Sequence, residues 1–176
     1  MEAIAINNNT WYFSGAVGRA FLFRGNQAAL LVDTTNGPGN LREIITKLVG
    51  DIPVILVNTH ADSDHIGCNH QFERTLMHPS EFAYYACKCK PGDAIPNPIF
   101  DGEIIDIGGR VFEVILMPGH TYGSIVLLNR AERILVGGDT ILKKVFIFGP
   151  QRNLRALICS LHRLKTQYGK DFDTIY

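Results

Sequence analysis

Neither charge sign is in excess in this chain of 176 residues, where 17 Lys and Arg stand against 17 Asp and Glu. Without a net field, the blunt electrostatic pull toward nucleic acid or an anionic membrane is missing. Long apolar runs are missing too, so no segment reads as a membrane span. The opening stretch MEAIAINNNT has an early acid and no basic region ahead of an apolar core, so it does not read as a secretory signal. A cytoplasmic location is the expectation. There are only four cysteines, Cys68, Cys87, Cys89 and Cys159, and the close pair in CKC lacks the second pair that a zinc ribbon needs. Reduced thiols are expected. No linker divides the chain and no short repeat recurs, so residues 1–176 are read as a single domain, long enough for a core without disulfides.

What is present is β-rich. AIAIN, TWYFSG, RAFLFRG and AALLVDT are apolar or aromatic runs broken by Asn, Gly and Asp, the punctuation of hairpins. LREIITKLV follows, with Leu41, Ile44, Ile45 and Leu48 on one helical face. IPVILVNT is a continuous β-branched run, which predicts a strand covered on both sides. RTLMHPSE reads as a strand running into a helix, EFAYYACK as that helix, and KPGDAIPNP as an exposed loop. Four more strands are expected in EIIDIGG, RVFEVILMPGH, SIVLLNR and RILVGGDT. A final helix carries a predicted buried stripe of Leu154, Leu157, Ile158, Leu161 and Leu164, and DFDTIY begins another strand. The two halves share a plan of hairpins followed by a strand and a helix. This order predicts an α+β fold of sheets packed face to face with helices outside.

The chemistry sits at strand ends. NTHADSDHIG places His60, Asp62, Asp64 and His65 within six positions, directly after PVILV. A loop leaving a strand abandons the strand's alternation, so it can aim neighbouring side chains at one point. Imidazole and carboxylate together suit zinc, iron or manganese. DHIG also resembles a helix start, where Asp64 would meet exposed amides. A solvated turn would explain this cluster alone. It does not explain why MPGHTYGS puts His120 just past another apolar strand and ILVGGDT puts Asp139 just past a third.

In this order, THADSDH, PGHTYGS and LVGGDT resemble the HxHxDH motif, the next histidine segment and the bridging aspartate of the metallo-β-lactamase superfamily. The resemblance covers nearly the whole chain. It implies an αβ/βα four-layer sandwich with the metal site on one edge of the sheets. It further implies that His60, Asp62 and His120 hold one metal, that Asp64 and His65 serve a second, and that Asp139 bridges them. A metal-bound hydroxide would then cleave an ester, thioester, amide or phosphoester of a small molecule. Asp64 would orient the nucleophile and pass a proton to the leaving group. Zinc, one ion or two, is the expected cofactor, with iron or manganese as alternatives. No nucleic-acid or membrane partner is expected.

Two features depart from the motif. Asp62 stands where the family usually has histidine, a harder anionic ligand that favours iron or manganese more than imidazole does. An acid there also resembles the di-iron oxygen and nitric oxide reductases of the superfamily, which leaves a redox protein as the competing reading. A metal-free binding module is a third. The family also completes its second metal with a histidine after the last strand, and the chain stops at Tyr176. The domain is therefore expected to lack its last strand or helix. β-Lactam cleavage is less expected, given Asp62 and the absent signal. Of the other histidines, His70 and His162 read as polar helix residues, and His78 as a pocket wall or a helix entry. Tyr122, Lys143, Lys144 and the aromatic segment after them are candidates for a basic and aromatic rim.

Overall fold

The computed structural model describes residues 1–176. Its first sheet runs in the order β1 (Ala3–Asn7), β2 (Thr10–Ser14), β3 (Arg19–Arg24), β4 (Ala29–Val32), β5 (Val54–Val57), β6 (Arg74–Met77) and β7 (Ile95–Pro98). The hairpins β1 to β4 are antiparallel, and from β4 to β7 every pairing is parallel. The second sheet is ordered β12 (Thr174–Ile175), β11 (Ile134–Val136), β10 (Ile125–Asn129), β9 (Val111–Leu116) and β8 (Ile104–Asp106).

Alternation along the strands builds the layers. Phe21 and Phe23 of β3, Leu30 and Val32 of β4 and Val57 of β5 face Phe112, Val114, Ile125, Leu127 and Val136 of the second sheet. The residues between them turn the other way. Leu22, Leu31 and Leu56 pack on Leu41, Ile45 and Val49 of α1 (Leu41–Val49). On the far side, Ile115, Val126, Leu128 and Leu135 pack against Leu164 of α4 (Leu154–Tyr168). The result is four layers, helix on sheet on sheet on helix, as a period of two demands when both faces of each sheet are covered. Asn40 caps α1, its side-chain oxygen accepting from the Glu43 amide at 3.0 Å.

The shared plan of the two halves is visible in the pairing. β4, α1 and the parallel β5 recur as β11, α4 and the parallel β12. Between β5 and β6 lies the short helix α2 (Ser63–Ile66), and after β6 comes α3 (Phe82–Ala86). No helix is long and apolar enough to cross a membrane. All four cysteines are free.

Two expectations fail here. KPGDAIPNP is not wholly a loop, because Ile95–Pro98 form the edge strand β7. Ile95 and Ile99 donate their amides to Glu73 and Met77 of the β6 region at 2.8 and 3.2 Å. Pro96 and Pro98 fall between these donors, where an amide would point away from the sheet, so the edge tolerates both. The buried stripe of α4 is also rotated. Leu157, Ser160 and Leu164 are buried, whereas Leu154 and Ile158 are exposed. Ser160 takes an inward position because its hydroxyl donates to the Pro118 carbonyl at 2.8 Å, a partner that hydrophobic periodicity does not register.

Candidate metal centre

The six residues singled out in the sequence converge at one edge of the two sheets. His60, Asp62, His120 and Asp139 each offer a donor atom within 4.8 Å of the others, and Asp64, His65 and Asp139 form a second such group. Asp139 belongs to both. His60 and Asp62 follow β5, Asp64 and His65 lie on α2, His120 follows β9, and Asp139 sits in the turn after β11. The rings of His60 and His65 are 4.1 Å apart at their centroids, and those of His60 and His120 are 4.7 Å apart.

Two glycines let these loops approach. Gly119 has φ 149°, and a Cβ there would lie 2.4 Å from Leu157 Cα at the start of α4. Gly138 has φ 50°, and its Cβ would lie 2.8 Å from the Thr59 hydroxyl. Any side chain at either position would push His120 or Asp139 off the cluster.

A shell of partners missed by the sequence reading orients the ligand candidates. Asp33, at the end of β4, accepts from the Thr59 amide at 2.8 Å and the Thr59 hydroxyl at 2.7 Å, and it meets His65 Nδ1 at 2.7 Å. These bonds hold Asp33 at φ 63°, a conformation an aspartate rarely keeps unaided. Since the Thr59 hydroxyl donates to Asp33, its lone pair is left to accept from His60 Nδ1, 3.0 Å away. His120 Nδ1 donates to the Phe146 carbonyl at 3.0 Å. Glu81 is fully buried and accepts from the amides of Ala61 and Gly123 at 2.9 and 2.8 Å, tying the His60 loop to the His120 loop.

These partners dictate the tautomers. All three imidazoles spend their Nδ1 hydrogen on the surrounding shell, which turns Nε2 inward toward the carboxylates. His60 Nε2 lies 3.3 Å from Asp62, His120 Nε2 lies 3.1 Å from Asp62, and His65 Nε2 lies 3.3 Å from Asp139 and 3.6 Å from Asp64. Nε2 of His60 and of His65 are buried and lack any hydrogen-bond partner. Acceptors facing acceptors across a short gap need positive charge between them, so the donor set fits a divalent cation.

The local electrostatics differ between the rings. Burial pushes the pKa of His60 down and keeps it neutral, with His65 adding to the effect. Burial acts on His65 in the same sense, but the Asp33 and Asp139 carboxylates outweigh it and hold its pKa well above the usual range. In the absence of metal, a proton is the cation the chain itself can place there. Burial opposes ionisation of Asp62, yet the neighbouring His120 and His60 and the Tyr84 hydroxyl hold the carboxyl below the usual range. Asp139 is lowered in the same way, chiefly by His65.

Five of the six residues, all but the buried His60, line a cavity of about 950 Å³. Phe146, Phe148, Ile141, Leu142 and Val17 contribute apolar wall, and Arg19, Lys88 and Arg152 contribute positive charge. The aromatic part of the expected rim is therefore present. Tyr122, Lys143 and Lys144 are exposed and do not line the cavity. The Tyr84 hydroxyl donates to Asp62 Oδ1 at 2.8 Å, and Arg152 pairs with Asp62 Oδ2. His70 and His162 are exposed, and His78 Nδ1 accepts from the Ser80 amide at 3.2 Å, a helix-entry role. Asp33 could have been noticed in the sequence, since LLVD repeats the pattern of an acid after an apolar strand. Glu81, Tyr84 and Arg152 carry no local signal.

Comparison with known proteins finds relatives and structural neighbours that share the fold. The acyl-coenzyme A thioesterase MBLAC2 of Gallus gallus is 27% identical, over 88% of this chain and 69% of its own length. The human protein of the same name is 28% identical, and this chain spans 61% of it. A hydroxyacylglutathione hydrolase of Rippkaea orientalis is 30% identical over 65% of this chain and 46% of its own length. Among solved structures, a metallo-β-lactamase from Pontibacter korlensis superposes with a TM-score of 0.77 at 20% identity, covering 99% of this chain and 89% of that one. The family model of the metallo-β-lactamase superfamily matches residues 15–175, and the chain belongs to that superfamily.

Proposed function

We propose that this chain is a metal-dependent hydrolase that cleaves a thioester, or a related ester, amide or phosphoester, of a small molecule. The observation that carries the reading is the set of three imidazole Nε2 atoms facing Asp62, Asp64 and Asp139, whose carboxylates line one cavity. Thioesters come first because one relative is named for acyl-coenzyme A thioester cleavage and another for hydroxyacylglutathione, itself a thioester.

His60, Asp62, His120 and Asp139 would hold one cation, and Asp64, His65 and Asp139 a second. A bound divalent cation supplies acidity to a water molecule and polarises the bond under attack. The remaining work falls to the chain. Asp33 fixes the His65 and Thr59 partners so that the imidazoles present lone pairs rather than hydrogens. Asp64 has no hydrogen-bond donor committed to its carboxylate and is partly open to the cavity. It is free to accept a proton from water and return it to a leaving group. The apolar walls exclude bulk water and seat the acyl portion.

Zinc is the proposed metal. Asp62 favours the second reading, an iron protein handling oxygen or nitric oxide, since two histidines with one carboxylate are a donor set that iron takes. Elemental analysis of protein produced without added metal separates the two. Near-stoichiometric zinc, with chelator-sensitive turnover of chromogenic thioesters, supports the hydrolase. Two equivalents of iron with donor-dependent oxygen consumption, or chelator-insensitive hydrolysis, overturns it.

A further inference from the structure

Asp62 carries a partner that no motif foreshadowed. The Arg152 side chain is only 9% exposed, and one terminal nitrogen sits on Asp62 Oδ2. The other terminal nitrogen donates to the Pro150 carbonyl at 3.3 Å, and Nε has no partner. No other lysine or arginine ion-pairs with any of the three acids of the cluster. Arg19 and Lys88, the other cations along the cavity, are exposed and lie over the rings of Tyr12 and Tyr84.

We propose that Arg152 is a positioning residue acting as a built-in counter-cation: it holds Asp62 toward His60 and His120 before metal arrives, and it weakens the metal's hold once bound. This rests on the reading of Asp62 as a metal ligand.

Charge and attachment both single out this arginine. An aspartate in place of an imidazole adds a full negative charge beside Asp64 and Asp139, and three carboxylates repel one another when no cation is present. The Arg152 guanidinium offsets that charge. Its backbone is anchored to the same loop as His120, because the Asn153 amide donates to the Gly119 carbonyl at 2.8 Å and the Asn153 side chain caps α4. The ion pair is therefore placed by the fold, not by a mobile surface side chain.

The two roles are compatible at one atom. A carboxylate oxygen has more than one acceptor site, and Oδ2 already faces His60 and His120 Nε2 at 3.3 and 3.1 Å. Tyr84 holds the other oxygen at 2.8 Å, so Asp62 keeps a tether when Arg152 is removed. A guanidinium and a divalent cation sharing one carboxylate in a partly dry site repel each other. Removing the guanidinium charge therefore strengthens metal binding while destabilising the metal-free chain. A merely structural arginine would give the opposite sign for the metal.

The test uses the whole chain stripped by chelator, with Zn²⁺ titrated against a chromogenic competitor and thermal unfolding followed without metal. Arg152→Met is expected to bind Zn²⁺ about tenfold more tightly and to unfold at least about 5 °C lower when stripped. Arg152→Lys, which keeps the charge, is expected to stay within about threefold of the unsubstituted Kd. A Met variant that binds Zn²⁺ equally or more weakly, or a Lys variant that tightens as Met does, overturns the proposal. Should Arg152→Met not fold, Arg152→Gln is read by the same criteria. An unsubstituted chain that takes up no Zn²⁺ overturns the metal reading itself, whereas failure confined to the Arg152 variants overturns only this inference.

Discussion

The two halves of the molecule repeat one plan and supply the site in different ways. In the first, β4, α1 and β5 are followed by one loop and a short helix that together deliver His60, Asp62, Asp64 and His65. In the second, β9 and β11 each contribute one group, His120 and Asp139, from loops 19 residues apart in sequence. The first half concentrates candidate ligands along the chain, and the second gathers them through space. A dense local cluster tolerates small shifts of the sheet that carries it. A distributed pair depends on the register of every strand between its members.

That contrast is open to breakage. The largest effect is expected from His120→Ala, which removes the second half's imidazole and should cost turnover of a thioester substrate at least about a thousandfold, with loss of stoichiometric metal. If instead the first half's cluster alone sustains near-normal metal content and rate, the convergence of the two halves is not what makes the site. Gly119→Ala follows. Its Cβ would collide with Leu157 Cα at a positive φ, so chemical denaturation should show a loss of about 3 kcal/mol. An unchanged midpoint would show that the α4 contact is looser than it looks.

Asp33→Asn probes the first half's supporting shell. The Thr59 hydroxyl and His65 Nδ1 share one carboxylate oxygen and the Thr59 amide donates to the other, so an asparagine NH2 would face a donor on one side or the other, and metal affinity should fall about 10- to 100-fold. Equal affinity in a competition titration would make Asp33 a fold residue only. The smallest effect is assigned to Ile158→Lys. This residue is exposed on α4, so stability should stay within about 0.5 kcal/mol. Leu157→Ala on the neighbouring inward face should cost about 2–5 kcal/mol. A large loss from Ile158→Lys would restore the helical stripe inferred from periodicity.

The elements themselves were largely legible. β3, β4, β9, β10 and β11 were plain as apolar runs between turn residues, and α1 as a 3.6-residue pattern, because burial of one face writes its period into the sequence. β7 was hidden, since two prolines read as a break unless the strand is known to lie at an edge. The rotation of α4 was hidden by Ser160, whose inward position depends on a carbonyl 42 residues away. At the site, acids and histidines clustered shortly after apolar strands marked all six candidates. Glu81, Tyr84 and Arg152 closed no strand and so escaped notice.

The sequence alone determined the types of donor, their place at strand ends and the four layers into which alternating side chains had to sort. Those follow from chain geometry and burial, which act over a few residues at a time. Only the tertiary structure decided which nitrogen of each imidazole faces the carboxylates, that Asp33 bonds both Thr59 and His65, and that Arg152 lies on Asp62. These depend on contacts between segments up to 90 residues apart, whose meeting is set by sheet register and packing and leaves no local trace along the chain.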